Sequence, residues 1–586
     1  MEFPAPVGAT VQSDGTLFRV FAPSQADLAV VIEPGEIYPM VKDEAGYHEV
    51  FAPGVGEGNL YWIEQNGTRY PDPASRYQPR GVHGPSQIID PTDYAWNDHE
   101  WTSLEREALV FYELHVGTFS TAGTFRGVQE KLPYLRELGI NAVELMPLAD
   151  FPGRWNWGYD PAALFAPARA YGTPDDLREL IDNAHQLGLA VFIDVIYNHF
   201  GPDGAYTLAL APEFLSARHK TPWGPAINLD GEHSRGVRDF FIANARYWLE
   251  EFHADGLRLD ATHALQDDSE VHFLAELAEV IEDMAPQRYL VAEDARNLNR
   301  IVIPRAQSGY GIDAVWADDF HHLMRRIMAG DQEGYYQDYP ASTKDLAATL
   351  NQGWFFTGQF SPFLQQNRGT DPTGIELSRM VFCLQNHDQV GNRPAGDRIT
   401  AQVGLPAFRA ASAILLFAPE LPLLFMGQEW ANPSPFQFFT DHGPEIGPLV
   451  SQGRREEFKD FAGFSSQVPD PQDPATFLAS KLDWSAQNES GHAELWEFYQ
   501  ELLRFRPLLR GEFLAASPSQ GALTLRRGTH LLAVAVQDKV EFSIPEAKLI
   551  LSSEEARFAP DPVPPYLGNG SISFSRPGAA LFEVLE

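Results

Sequence analysis

Residues 173–194 read TPDDLRELIDNAHQLGLAVFID. Thr173-Pro174 supplies a helix N-cap followed by a proline at the first helical position, and Asp176 stands where a capping box places its acid. Gly188 stops the helix, and Leu189 to Ile193 is a continuous apolar run of the kind that forms a parallel strand buried on both faces. The same grammar precedes this unit: Val128, Leu132, Leu135 and Leu138 keep helical spacing, Gly139 ends the helix, and a new apolar run starts at Ile140. It also follows it. Ala254-Asp255-Gly256 introduces Leu257 to Leu259, Arg288 to Ala292 succeeds another helical stretch, and further strands are expected at Ile312 to Trp316, Met380 to Leu384 and Leu421 to Phe425. With Leu109 to Leu114 the strands number eight, which favours a closed (β/α)8 barrel, the TIM-barrel class, over an open α/β sheet.

The flanks read differently. From about Thr10 to Ile89 short β-rich runs alternate with turns (Thr16 to Phe21, Leu28 to Ile32, Asn59 to Glu64), with Asn66-Gly67 as a hairpin signal. Pro71 to Asn97 is irregular and proline-rich, as a connection between domains would be. From Gly511 onward the chain is β-rich again, at Ala522 to Arg526, Leu531 to Val536, Val540 to Ile544, Ser571 to Phe574 and Ala580 to Val584. The expected organisation is a carbohydrate-binding-like N-terminal β-sandwich over 1–95, a barrel with loop insertions over 96–510, and a C-terminal β-sandwich over 511–586.

Composition narrows the partners. The chain has 586 residues with 43 Lys+Arg against 80 Asp+Glu, a formal charge of −37. Such a surface repels nucleic acid and anionic membranes alike, so the ligand should be neutral or cationic. Cys383 is the one cysteine, which excludes an intramolecular disulfide and a thiolate metal cage. Met1 to Thr10 lacks a basic region followed by an apolar run, and no stretch of about 18 apolar residues occurs, so a soluble cytoplasmic protein is expected.

Barrel enzymes place chemistry at the C-terminal ends of their strands, because those ends converge on one face. Four of the expected strands end in an acid: Asp194, Asp260, Glu293 and, just past its strand, Asp388. Any one alone is more readily a helix cap or a surface group; four together form a pattern. Arg258 and Asp260 are two apart on a strand and point to the same face, so an ion pair would keep Asp260 ionised. The apolar neighbours of Glu293 would hold it protonated if it is buried. One ionised carboxylate beside one protonated carboxyl is the pair that glycosidic cleavage needs. No HExxH, GxSxG or glycine-rich phosphate loop competes with this reading. Trp155, Trp157 and Tyr159 fall in one loop and are candidate sugar-stacking faces; His199 and His387 taken singly read as core histidines, and Cys383 as a small buried strand residue.

Asp194-Val-Ile-Tyr-Asn198-His199, Gly256-Leu-Arg258-Leu-Asp260, Ala292-Glu293-Asp294 and Asn386-His387-Asp388, in this order and at these spacings, resemble the four sequence regions of the α-amylase superfamily of glycoside hydrolases. The resemblance spans the whole chain, since a β-domain, a barrel and a second β-domain are that family's usual order. It implies Asp260 as nucleophile, Glu293 as general acid/base and Asp388 as the residue that holds sugar hydroxyls in the transition state. Tyr159, His199, Arg258 and His387 would line the subsite, with Asp194 supporting them. Asn198 helps bind calcium in many α-amylases, but the segment from Phe200 to Arg235 is too short to resemble their calcium-binding domain, so no metal and no cofactor are expected.

Three finer segments, Ala292 to Asn297, Asn386 to Arg393 and Pro435 to His442, look like those superfamily members that release trehalose from maltooligosyltrehalose. Branching enzymes share the general plan but usually carry Glu-Glu-Ser after the acid/base, and a non-catalytic glucan scaffold would have lost an acid. The resemblance implies a neutral α-glucan substrate, hydrolysis of the α-1,4 bond next to its terminal trehalose, and maltooligosyltrehalose synthase as pathway partner. Discrimination of the trehalose end must come from the leaving-group side. The loop Lys220-Thr221-Pro222-Trp223-Gly224-Pro225 is the candidate wall for it, although Trp223 could equally pack that loop onto the barrel.

Overall fold

Eight parallel strands close into one barrel in sequence order: β1 (Phe111–Leu114), β2 (Ala142–Leu145), β3 (Ala190–Val195), β4 (Gly256–Leu259), β5 (Tyr289–Glu293), β6 (Ala314–Trp316), β7 (Met380–Cys383) and β8 (Leu421–Phe425). The computed structural model describes residues 6–457 and 468–585; the first five residues of the stretch read for a targeting signal lie outside them. The strands fall on the apolar runs expected, and the helix between β2 and β3, Pro174–Gln186, carries the Thr173/Asp176 capping box, with Gly188 left-handed at φ +74° just past its end.

Period-two alternation explains the barrel's interior. Phe111, Phe192, Tyr289, Val291, Trp316, Val381, Cys383 and Leu423 form one packed cluster inside it. Two residues further along the first four strands the same inward face turns charged, at Glu113, Glu144, Asp194 and Arg258. Register pairs Glu113 with Glu144, and Asp194 with Arg258. The barrel therefore has an apolar floor and a charged mouth. Gly256 is required by this packing, since a Cβ there would lie 2.3 Å from the Phe192 ring and 2.7 Å from the Tyr289 carbonyl oxygen.

Antiparallel sheets flank the barrel at both ends of the chain. At the N-terminal end one four-stranded sheet (Gly8–Gln12, Gly15–Phe21, Tyr47–Pro53, Val41–Lys42) packs over a core containing Phe18, Val30, Tyr61 and Ile63 against a second sheet built on Ala29–Ile32 and Leu60–Gln65. Asn66 and Gly67 both take positive φ in the hairpin joining Leu60–Gln65 to Thr68–Tyr70, as their sequence signalled. At the C-terminal end a five-stranded and a three-stranded sheet share the core of Leu531, Ala533, Phe542, Ile572 and Phe582. Arg409, on the helix Leu405–Phe417 before β8, joins that unit to the barrel through a buried pair with Glu554 at 2.6 Å. Among the described residues no helix is long and apolar enough to cross a membrane.

Candidate active site

Arg258 organises the barrel mouth. Its side chain is wholly buried, its guanidinium lies 4.4 Å from the centre of the Trp316 ring, and Nη1 donates to Asp194 (2.8 and 3.0 Å) and to Asp260 Oδ1 (2.7 Å). Nη2 sits 2.9 Å from Glu293 Oε2, close enough to attract it but out of hydrogen-bond alignment. Asp260 and Glu293 thus share one cation. Asn198 does not face outward as a free ligand; its amide donates to the carbonyl oxygen and to Oδ2 of Asp260, at 2.9 and 2.7 Å.

The chain turns sharply after Asp260. Ala261 is held in the left-handed region at φ +40°, a strained conformation for a residue with a Cβ, and its N–H donates to Glu293 Oε2 at 2.7 Å. Thr262 Oγ1 donates to the Glu293 carbonyl and to Asp294, which fastens the loop after β4 to the end of β5. Exposure rises across the three acids, with side chains 11% exposed at Asp260, 21% at Glu293 and 35% at Asp388, so the cleft opens on the side of Glu293 and Asp388.

The same neighbours push the two central acids apart. Burial alone would raise the Asp260 carboxyl, but the Arg258 guanidinium, His199 and the Asn198 amide outweigh it and hold the group below its usual range. Burial drives Glu293 up, and although Arg258 and the Ala261 N–H oppose the shift, the carboxylates of Asp260 and Asp388 reinforce it. The result is an ionised group beside a proton donor.

Tyr159, between β2 and β3, donates from its hydroxyl to Asp194 at 2.6 Å, and its ring stacks on His387 with centroids 5.1 Å apart. Asp194 is buried and fully engaged by Arg258 and Tyr159; it supports the cleft and does not line it. His199 Nε2 lies 3.0 Å from the Tyr159 carbonyl oxygen. Asp388 enters on the short helix His387–Gly391, capped by Asn386, with His387 Nε2 3.5 Å from its Oδ1. Trp155 and Trp157 correct the expectation of sugar-stacking faces. Trp157 is buried against Phe436 with its Nε1 on the Gln437 carbonyl, and Trp155 stacks on Phe477, so both rings are consumed by packing that sequence could not show.

Trp223 lies at the tip of a β-hairpin, Leu215–Thr221 with Gly224–Ile227, and is 51% exposed. Its ring is stacked on His199 at 5.2 Å and reaches toward His263 at 6.4 Å, which brings it to the cleft beside the acids. Beside this hairpin the ligand-capable atoms of His219, Asp230 and Asp268 converge within 4.8 Å. Arg218 Nη2 pairs with both carboxylates, at 3.2 and 2.8 Å.

Sequence reasoning missed several groups at the mouth. Asp318, at the head of the helix Asp319–Met328, is pushed up to about 6 by burial and by the neighbouring Asp388 carboxylate. Trp316 faces Arg258, and Glu113 and Glu144 lie inside the ring of strands. A lone acid within an apolar four-residue run was the available signal for the last two.

Residues 92–211 match the family model of the α-amylase catalytic domain. The chain is 44% identical over 508 residues to the malto-oligosyltrehalose trehalohydrolase of Deinococcus radiodurans, covering 86% of this chain and 82% of that one. It is 40% identical over 558 residues to the protein of the same name from Saccharolobus solfataricus, covering 94% and 96%. A crystal structure of a Salmonella typhimurium protein assigned to the α-amylases superposes with a TM-score of 0.90 at 36% identity, over 99% of this chain and 100% of that one. Likeness of that extent runs through the barrel and both flanking units, and it sets the class first: an α-amylase-type glycoside hydrolase. Within that class the chain belongs to the malto-oligosyltrehalose trehalohydrolase family.

Proposed function

We propose that this enzyme hydrolyses the α-1,4-glucosidic bond next to the terminal trehalose of maltooligosyltrehalose, releasing trehalose and a maltooligosaccharide. Asp260 is the nucleophile, Glu293 the general acid and then base, and Asp388 holds ring hydroxyls as the sugar flattens toward the oxocarbenium ion. Tyr159, His199, Arg258 and His387 build the glucosyl subsite around them. The observation that carries this reading is the pairing of Asp260 and Glu293 on Arg258, one carboxyl lowered and the other raised, in a chain of this family. A cytoplasmic place in trehalose formation, with a synthase making the substrate, accords with that chemistry.

Asp260 attacks the anomeric carbon while Glu293 protonates the departing trehalose oxygen. Glu293 then takes a proton from the water that displaces Asp260. Two inversions leave the configuration unchanged, and carboxyl groups about 5–5.5 Å apart suit them. Proton NMR during the first turnovers on maltooligosyltrehalose should show trehalose and an α-configured new reducing end. A β-configured end would remove Asp260 as nucleophile, and new α-1,6 branches without net hydrolysis would replace the hydrolase reading with a transferase one.

Choice of the trehalose end belongs to the leaving-group side, and the exposed Trp223 ring, 6.4 Å from His263, is our candidate wall for it. A trehalose turns at its α,α-1,1 bond where maltose runs on, so a wall can accept one and clash with the other. Trp223→Ala should lower kcat/KM on maltooligosyltrehalose at least about 10-fold more than on plain maltooligosaccharide. Equal losses on the two substrates would assign the ring to holding the hairpin instead.

A further inference from the structure

His387 has a carboxylate on each side of its ring. Asp388 Oδ1 lies 3.5 Å from Nε2, at the cleft. On the opposite side Glu113 Oε1 lies 2.5 Å from Nδ1, and Glu113 Oε2 accepts from the His387 backbone N–H at 2.9 Å. Glu113 comes from β1, is 1% exposed, and cannot reach the cleft because the histidine stands between. Its two oxygens grip both the ring and the main chain of one residue, so a single side chain fixes where the ring stands and which nitrogen carries a proton.

We propose that Glu113 is a positioning residue for the reaction: it holds Nδ1–H of His387 and thereby leaves Nε2–H as a donor aimed at the hydroxyl that Asp388 also holds. This rests on the reading of His387 and Asp388 as the glucosyl subsite. A neutral ring with Nδ1–H on Glu113 would present a lone pair to the Asp388 carboxylate. Two flanking carboxylates therefore favour the imidazolium, and a donor facing the sugar is available only in that form.

The surroundings agree. Burial would lower His387, but Asp388 first and Glu113 second raise it to about 9. Glu144, beside Glu113 in register on β2, is driven up by burial and then by Glu113, and one of its buried oxygens has no hydrogen-bond partner. Burial and the Glu113 carboxylate thus push Glu144 toward its neutral form. The other charged or titratable groups facing His387 are Arg258, which opposes its protonation, Asp194 and His115. The Tyr159 ring stacks on it and the Trp157 ring meets it edge-on, which leaves rotation no room. An orienting carboxylate behind a histidine is the arrangement by which other hydrolases fix a working tautomer.

The test compares Glu113→Gln, Glu113→Asp and His387→Ala with the full-length enzyme, measuring kcat and KM on maltooligosyltrehalose from pH 5 to 10 together with thermal melts. Glu113→Gln keeps the shape and removes the charge that favours the second proton, but its one amide oxygen can accept from Nδ1–H or from the main-chain N–H and not from both. Its kcat should fall about 10²-fold with KM changed far less, as for a displaced catalytic contact. Its alkaline limb should steepen and move toward lower pH, because His387, at about 9 in the wild type and so above the Glu293 limb at about 8, then loses its proton alongside Glu293. Glu113→Asp, one methylene short, should lie between. A Glu113→Gln enzyme with wild-type kcat, or one that is uniformly weaker with an unmoved limb, overturns the proposal while a severe His387→Ala leaves the subsite reading standing. If His387→Ala itself keeps full activity, the subsite reading falls and the proposal with it. Should Glu113→Gln not fold, a wild-type profile from folded Glu113→Asp overturns the proposal equally.

Discussion

Asp260→Asn and Glu293→Gln are each expected to lower kcat by about 10⁴-fold, close to 5.5 kcal/mol of transition-state stabilisation at 1.36 kcal/mol per decade. The amides are nearly isosteric with the acids, and each keeps part of its hydrogen bonding to Arg258, Asn198 or the Ala261 N–H. What they lose is a nucleophilic oxygen in one case and a transferable proton in the other. Thermal melts should therefore change little, and the deficit should reside in kcat. The wild-type pH profile follows from the same environment. Activity should rise with pH as Asp260 ionises, below its ordinary range, and fall on the alkaline side as Glu293, pushed up to about 8, loses its proton. Glu293→Gln should remove that limb from the residual activity and leave only the later fall as His387, at about 9, loses its proton. An Asp260→Asn enzyme turning over at the wild-type rate would mean that another group attacks the sugar.

Much of the barrel was legible because its physics is local. A parallel strand covered on both faces must be apolar at successive positions, and a helix that ends on Gly139 or Gly188 announces the strand after it. The acids at strand ends were legible for a related reason, since a charge terminating an apolar run has few places to go except the mouth. Glu113 and Glu144 escaped because they sit inside their strands, and only the closed register, with the inward face turning charged two residues above the floor, shows that these buried positions lie directly beneath the mouth. The aromatics were the opposite case. Trp155, Trp157 and Tyr159 look alike in sequence, yet two of them meet partners nearly three hundred residues away or more, Phe436 and Phe477, and only Tyr159 turns to the carboxylates. Long-range packing of that kind leaves no local periodicity to read.

Arg258 is the residue whose loss should be felt twice. Three carboxyl groups, Asp194, Asp260 and Glu293, crowd one fully buried guanidinium, and its two terminal nitrogens divide them, Nη1 serving the two aspartates and Nη2 lying beside the glutamate. Arg258→Met keeps a long apolar stem against Trp316 but strands the acids without a cation. Removing one partner of a buried ionic set typically costs about 3–5 kcal/mol of stability, because the charges left behind cannot be rehydrated. Some of that cost should be relieved by protonation of Asp194 and Asp260. The relief is itself damaging, since a protonated Asp260 is no nucleophile. The expected result is a melting point several degrees lower and a loss in kcat of at least about 10³-fold at neutral pH, partly recovered as pH rises and Asp260 ionises again. Arg258→Lys should retain more stability and little more activity, because a single ammonium cannot stand on Asp260 and Glu293 at once, whereas the fork of a guanidinium can. If Arg258→Lys instead restored the wild-type rate, one point charge would suffice, and the fork of Nη1 on Asp260 with Nη2 beside Glu293 would not be what keeps Asp260 ionised.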